Sequence, residues 1–168
     1  MGLPARRRWP KSALARTPPI GGKNGRKRSL LVDARGIPLS LVASGANRHD
    51  SYLLRATLAA IVCPRPDPGS GQIETLCADA AYIGFPAQAA SRLHHYQLNV
   101  KTRRQERDEK QRDPDHEARR WVVERTHSWL NRFRKLLVSF EKTEASYKAL
   151  LALAAALICW RQTISIYG

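Results

Sequence analysis

The chain has 168 residues, enough for one domain, and its 43% hydrophobic content is ample for a packed core. Against 14 Asp and Glu stand 29 Lys and Arg, a formal charge of +15 that points to a polyanionic partner, nucleic acid ahead of an anionic membrane. Cys63, Cys77 and Cys159 are scattered, which argues against a disulfide framework or zinc knuckle and suits a reducing cytoplasm; the longest apolar run, residues 149–160, is too short for a bilayer, and no secretory signal follows Arg6, Arg7 and Arg8.

Residues 1 to 26 are rich in Pro, Gly and Arg without an apolar period, so they read as a disordered basic arm. Nine basic residues and no acid fall within the first 28 positions, leaving a net +6 for the other 140. From Ser29 the pattern changes. Ser29 to Asp33 and Ile37 to Ala43 predict two short antiparallel strands joined by a turn over Ala34, Arg35 and Gly36. Asp50 precedes the helical spacing Leu53, Leu54, Thr57, Leu58, Ile61 and is the expected N-cap. Pro64, Pro66, Pro68, Gly69 and Gly71 end that helix.

Ile73 to Ala78 predicts a strand arriving at Asp79, Phe85 to Leu93 a helix, and Tyr96 to Val100 another short strand. Lys101 to Arg112 holds six basic and three acidic residues and is expected as an exposed loop. Asp113-Pro114 signals a long helix, with Asp115 and Glu117 in its first turn and Val122, Trp129, Phe133, Leu136 and Phe140 as its apolar stripe. Ala145 to Ile164 predicts a final buried helix, and the Trp residues are expected in the core. His94 and His95 lie away from ligand partners and read as surface. The element order describes a mixed α/β domain in layers; periodicity goes no further.

Two acids stand out. Phosphodiester cleavage by two divalent ions needs carboxylates that hold one ion on the attacking hydroxyl and the other on the leaving oxygen. Asp79 ends a predicted strand, where a side chain is rigidly presented at the rim of a sheet, although an Asp there also serves as a cap for the next helix. Glu124 shares a helix face with Arg120, and an i,i+4 ion pair is the plain reading. Trp121, Val122 and Trp129 press that stretch toward a core, where a charge needs a partner or a metal.

The string Arg119-Arg-Trp-Val-Val-Glu-Arg-Thr-His-Ser-Trp-Leu-Asn-Arg-Phe-Arg-Lys-Leu136 resembles the glutamate signature of bacterial insertion-sequence transposases of the insertion-sequence-five family. In the same order, Lys27 to Asp33, Gly36 to Leu39, Gly45 to Asp50, Leu76 to Tyr82 and Ala149 to Trp160 resemble that family's segments. The resemblance implies an RNase H-like mixed sheet flanked by helices over residues 27–168. It also implies DNA strand cleavage and strand transfer of the DDE type, with Mg2+ or Mn2+ as cofactor. By it, Asp79 and Glu124 bind metal, Arg120 orients Glu124 or a phosphate, and Arg125, Arg132, Arg134 and Lys135 contact DNA. Asp33 and Asp50 match no catalytic position and read as a turn residue and a cap. The implied partners are the element's terminal inverted repeats and target DNA, with a homo-oligomer in reach, no membrane, and a cytoplasmic, nucleoid-associated location.

The chain departs from that pattern. Glu117 replaces the family's tyrosine, and Asn131, beside Arg132, replaces a basic residue. No Asp or Glu precedes Asp33, so the first strand and its catalytic Asp are missing and the polypeptide alone is expected to be inactive. Residues 1 to about 21 read as the family's codons in a shifted frame, since Leu14 to Gly21 follows from a one-base shift of GC-rich codons for a segment like Thr-Gly-Pro-Asn-Pro-Thr-Asp-Arg-Gly-Lys. A frameshifted fusion with an upstream product would then be complete. Set against this are a natural basic arm gripping phosphates, a non-catalytic DNA-binding remnant or regulator of transposition, and an RNA- or ribosome-associated basic protein.

Overall fold

The computed structural model describes residues 15–16, 24–112, 120–138 and 141–167. Strand β1 (Ala15–Arg16) pairs antiparallel with the start of β2 (Asn24–Val32), and β2 pairs antiparallel with β3 (Pro38–Gly45), Leu30 opposite Leu41. The turn between β2 and β3 forms as expected. Asp33 Oδ1 accepts from the backbone N–H of Arg35 at 2.9 Å and of Ile37 at 2.7 Å, and Gly36 takes a φ of +83° that its missing Cβ allows.

Successive side chains of a strand point to opposite faces, and β2 uses both. Ser29 and Leu31 face helix α1 (Asp50–Ala59): Thr57 Oγ1 donates to Ser29 Oγ at 2.7 Å, and Leu31 packs against a core of Leu54, Leu58, Leu76, Ala87 and Ala90. Arg28 and Leu30 face the other way, into a second core of Leu130, Leu136, Tyr147, Leu151, Ala154 and Ile158. The Arg28 guanidinium donates there to Tyr147 Oη at 2.7 Å, to Asn131 Oδ1 at 3.0 Å and to the Leu136 carbonyl. The hairpin is therefore a middle layer between two helical cores. Helix α1 is capped by His49, not by Asp50 as expected. His49 is extended and its Nδ1 accepts from the Ser51 N–H, which moves Asp50 into the first turn, where it pairs with Lys27 Nζ at 3.0 Å.

On the α1 side, β4 (Glu74–Ala78), helix α2 (Phe85–Leu93) and β5 (Tyr96–Val100) form a β-α-β unit with parallel strands, Ala78 opposite Val100. The described strands thus lie in two separate small sheets, β1-β2-β3 and β4-β5.

Residues 103–112 are a helix, α3 (Arg103–Arg112), which corrects the expected loop. Thr102 and Gln105 close a capping box: Gln105 Oε1 accepts from the Thr102 N–H at 2.9 Å, and Thr102 Oγ1 accepts from the Gln105 N–H at 3.3 Å. The cap and the i,i+4 spacing of Arg104, Asp108 and Arg112 both favour helix in this polar segment.

The helix start at Asp113-Pro114 and the stripe residue Phe140 lie outside the described residues. Helix α4 (Arg120–Asn131) does not run through to Leu136. The N–H groups of Arg132 and Phe133 bond three residues back, Phe133 is extended, and a new short helix α5 (Arg134–Leu137) begins. Beyond that bend Leu136 is buried in the core together with residues of helix α6 (Glu144–Tyr167). Helix α6 is buried only along Tyr147, Leu151, Ala154 and Ile158; Leu153, Trp160 and Ile164 on its outer side are exposed, contrary to the fully buried helix expected. By length and composition alone, residues 144–166 form one helix apolar enough to cross a membrane.

Candidate active site at a strand rim

Asp79 stands where the sequence placed it, at the C-terminal end of β4. Its backbone is extended and its Oδ1 accepts from the Ala81 N–H at 2.9 Å, capping a single 3-10 turn over Ala80–Tyr82. The cap and the rim carboxylate are one side chain, because a cap uses one oxygen and leaves Oδ2 to face solvent from an exposed residue. Tyr82 closes the turn over the α1 core. Burial, followed by the charges of Asp50 and Asp79, raises its pKa above the ordinary value of 10.0, while a hydrogen bond with the Ser29 side chain acts the other way. Asp50 is thus an electrostatic neighbour of this rim, a relationship that no local spacing signals; its carboxylate is held by Lys27.

Glu124 is exposed on α4, and its backbone carbonyl accepts from Ser128 Oγ at 3.0 Å. The two residues after it anchor the helix to the β2–β3 turn. Arg125 donates to the Arg35 carbonyl with its guanidinium 4.5 Å from the Trp121 ring centre and 5.1 Å from that of Trp129. Thr126, fully buried, donates its single hydroxyl proton to the Gly36 carbonyl at 2.6 Å, and the Val122 carbonyl is a second acceptor within reach at 3.1 Å. Trp121 remains 43% exposed and Trp160 64% exposed, so neither is the core residue expected; Trp129 packs partly against the second core. His127 sits inward, and burial, then the charge of Arg28, hold its ring below the ordinary 6.5.

Arg132, Arg134 and Lys135 are exposed around the bend from α4 to α5, whereas Arg125 is turned into the fold by its two tryptophans. Arg120 opens α4 in the described residues. Among the described residues no hydrogen bond or ion pair joins Asp79 to Glu124; Leu76 of β4 belongs to the core on the α1 side of the hairpin and Leu130 of α4 to the other core. A two-metal centre requires several oxygen ligands converging on each ion. Both carboxylates suit divalent cations chemically, but no group of three or more His, Cys, Asp or Glu gathers among the described residues.

Residues 8–159 match the family model described as the transposase DDE domain. The chain is 32% identical over 156 residues to a Burkholderia cepacia protein named for a transposase of insertion sequence element IS402, covering 92% of this chain and 72% of that relative. No solved structure matches.

Proposed function

Because the chain belongs to the transposase DDE-domain family, whose members generally use divalent metal ions, we propose that it takes part in DNA strand cleavage and strand transfer of an insertion sequence. The observation that carries this reading is the Asp79 carboxylate, exposed at the C-terminal rim of a parallel β-α-β unit with one oxygen tied to the backbone and the other open. On this reading Asp79 and Glu124 are two members of the carboxylate set. A divalent ion, Mg2+ or Mn2+, would supply charge neutralisation at the scissile phosphate. Arg120 positions Glu124 or a phosphate, and the exposed Arg132, Arg134 and Lys135 contact DNA. The work of Arg125 is to hold α4 on the hairpin, which keeps Glu124 where it is. The element's inverted repeats and target DNA are the partners, which places the chain with the nucleoid in the cytoplasm.

The hairpin and the β4–β5 pair are read as parts of one RNase H-like mixed sheet. Leu31 of β2 and Leu76 of β4 share a core, and the edge of β4 away from β5 is unpaired among the described strands. A strand added between β2 and β4 would join the two sheets, and in this family that strand carries the first catalytic Asp. No Asp or Glu precedes Asp33, so the 168-residue polypeptide alone is expected not to cut, while a longer product supplying that strand, by frameshift fusion or otherwise, would. The test is a strand-nicking assay on duplex DNA with Mg2+ or Mn2+. Binding without nicking is expected from the 168 residues. Nicking is expected from an extended product carrying an Asp-bearing strand, and Asp79→Ala or Glu124→Ala should abolish it. Nicking that survives both substitutions would assign the chemistry to other residues. Reading the coding DNA upstream tests the shifted frame directly.

A further inference from the structure

We propose that helix α3 is a docking element for the phosphate backbone of duplex DNA, placed to hold the duplex against the rim that carries Asp79. The inference rests on the transposase reading above and goes further by assigning the contact to a named helix. Helix α3 contains no apolar residue and belongs to neither core, so its order is not explained by burial. Its starting point is nevertheless tied to the sheet. The capping box of Thr102 and Gln105 starts it two residues after β5 ends, leaving no slack between strand and helix. Ala78 and Val100 are partners in a parallel pair, so residues 79 and 101 leave the sheet at the same rim, about 4.8 Å apart, the spacing of neighbouring strands. The helix therefore starts close along the chain to the rim that carries the candidate carboxylate.

Its surface suits a polyanion. The helix has five basic and three acidic residues. Arg104, Arg107 and Gln111 follow one another at i, i+3 and i+7 and are exposed, giving two guanidinium forks and an amide in a line along one side. Asp108 stands at i,i+4 spacing from both Arg104 and Arg112, which fits a role in spreading those arginines rather than in repelling the partner. Duplex phosphates are spaced regularly along a groove and can accept such a row without sequence specificity, so this helix would orient DNA and not select it.

The experiment measures binding of the full chain to a short labelled duplex of mixed sequence across a salt series. Arg104→Gln with Arg107→Gln should reduce the slope of log affinity against log salt by about 2, near 0.9 for each phosphate that is no longer neutralised. A control pair of equal charge change, Arg55→Gln with Arg92→Gln on α1 and α2, should leave the slope close to that of the unmodified chain. Melting temperature should be unchanged in both pairs, since all four side chains are exposed. An unchanged slope in the α3 pair, or an equal reduction in the control pair, would overturn the docking role and leave the transposase reading standing. An unmodified chain that does not retain duplex DNA at all would overturn both.

Discussion

Thr126 and Gly36, separated by 90 residues, meet at 2.6 Å, with the buried threonine hydroxyl donating to the glycine carbonyl. A Cβ on Gly36 would lie 2.9 Å from that same hydroxyl oxygen, and the glycine φ is +83°. One contact therefore requires two features at once, a hydroxyl on α4 and a bare backbone at the hairpin turn. It sets how closely the helix carrying Glu124 approaches the strands.

Gly36→Ala is accordingly expected to destabilise the chain by at least about 1–2 kcal/mol through left-handed backbone strain, before the clash is added. Thr126→Val, which leaves the Gly36 carbonyl without its donor, should cost about 1–3 kcal/mol. Because Thr126→Ala makes room for the new methyl group, combining it with Gly36→Ala should cost less than the sum of the two single changes. Urea denaturation of the parent, the two alanine variants and their double measures that coupling, and strict additivity would argue against the contact.

Arg125→Lys should not behave as a conservative change. The guanidinium lies over Trp121 and Trp129 while donating to the Arg35 carbonyl, and an ammonium cannot reproduce that planar stacking. A loss of about 1–2 kcal/mol is expected, with increased tryptophan solvent exposure read by fluorescence quenching. Wild-type stability in Arg125→Lys would contradict an anchoring role.

Asp79 offers a separation of its structural and chemical work. Asn caps a helical turn about as well as Asp, so Asp79→Asn should keep the melting temperature, while Asp79→Ala should lose about 1 kcal/mol with the cap. Both should remove nicking from an active, extended product. Activity retained by Asp79→Asn would mean that the side chain matters only as a cap.

The folded chain holds His127 below its ordinary pKa of 6.5, chiefly by burial and then by Arg28. The folded state then binds fewer protons than the unfolded one as the pH drops. The neutral ring's contribution is complete above 6.5 and is lost as pH falls from there toward the folded value. His94 shifts in the same direction, by burial and then Arg65. His127→Gln should thus weaken the decline of melting temperature on acidification without removing it. An identical decline in variant and parent would show that His127 does not titrate as placed.

Much of the chain was legible from local chemistry. The β2–β3 turn needed only Asp33 and Gly36, the β-α-β unit only its apolar runs and punctuation, and Asp79 only its position at the end of one such run. The misreadings have specific causes. His49 displaced Asp50 as cap because an imidazole nitrogen can accept the same N–H bond. Residues 101–112 lack an apolar face and so read as a loop, whereas Thr102 and Gln105 form the capping box at the start of a helix. The break at Phe133 is invisible in a stripe that continues at helical spacing on both sides.

What the sequence determined by itself was the family signature, the kinds of element and the two acids worth watching, because each is written in residues close together along the chain. Only the tertiary structure decided that β2 serves two cores, that Arg125 turns inward between tryptophans, and that α1 and α4 contribute to different cores about the hairpin. Those outcomes depend on partners such as Arg28 with Tyr147 and Thr126 with Gly36, about a hundred residues apart. No local period encodes them, since they follow from which faces are left to be covered once the strands have paired.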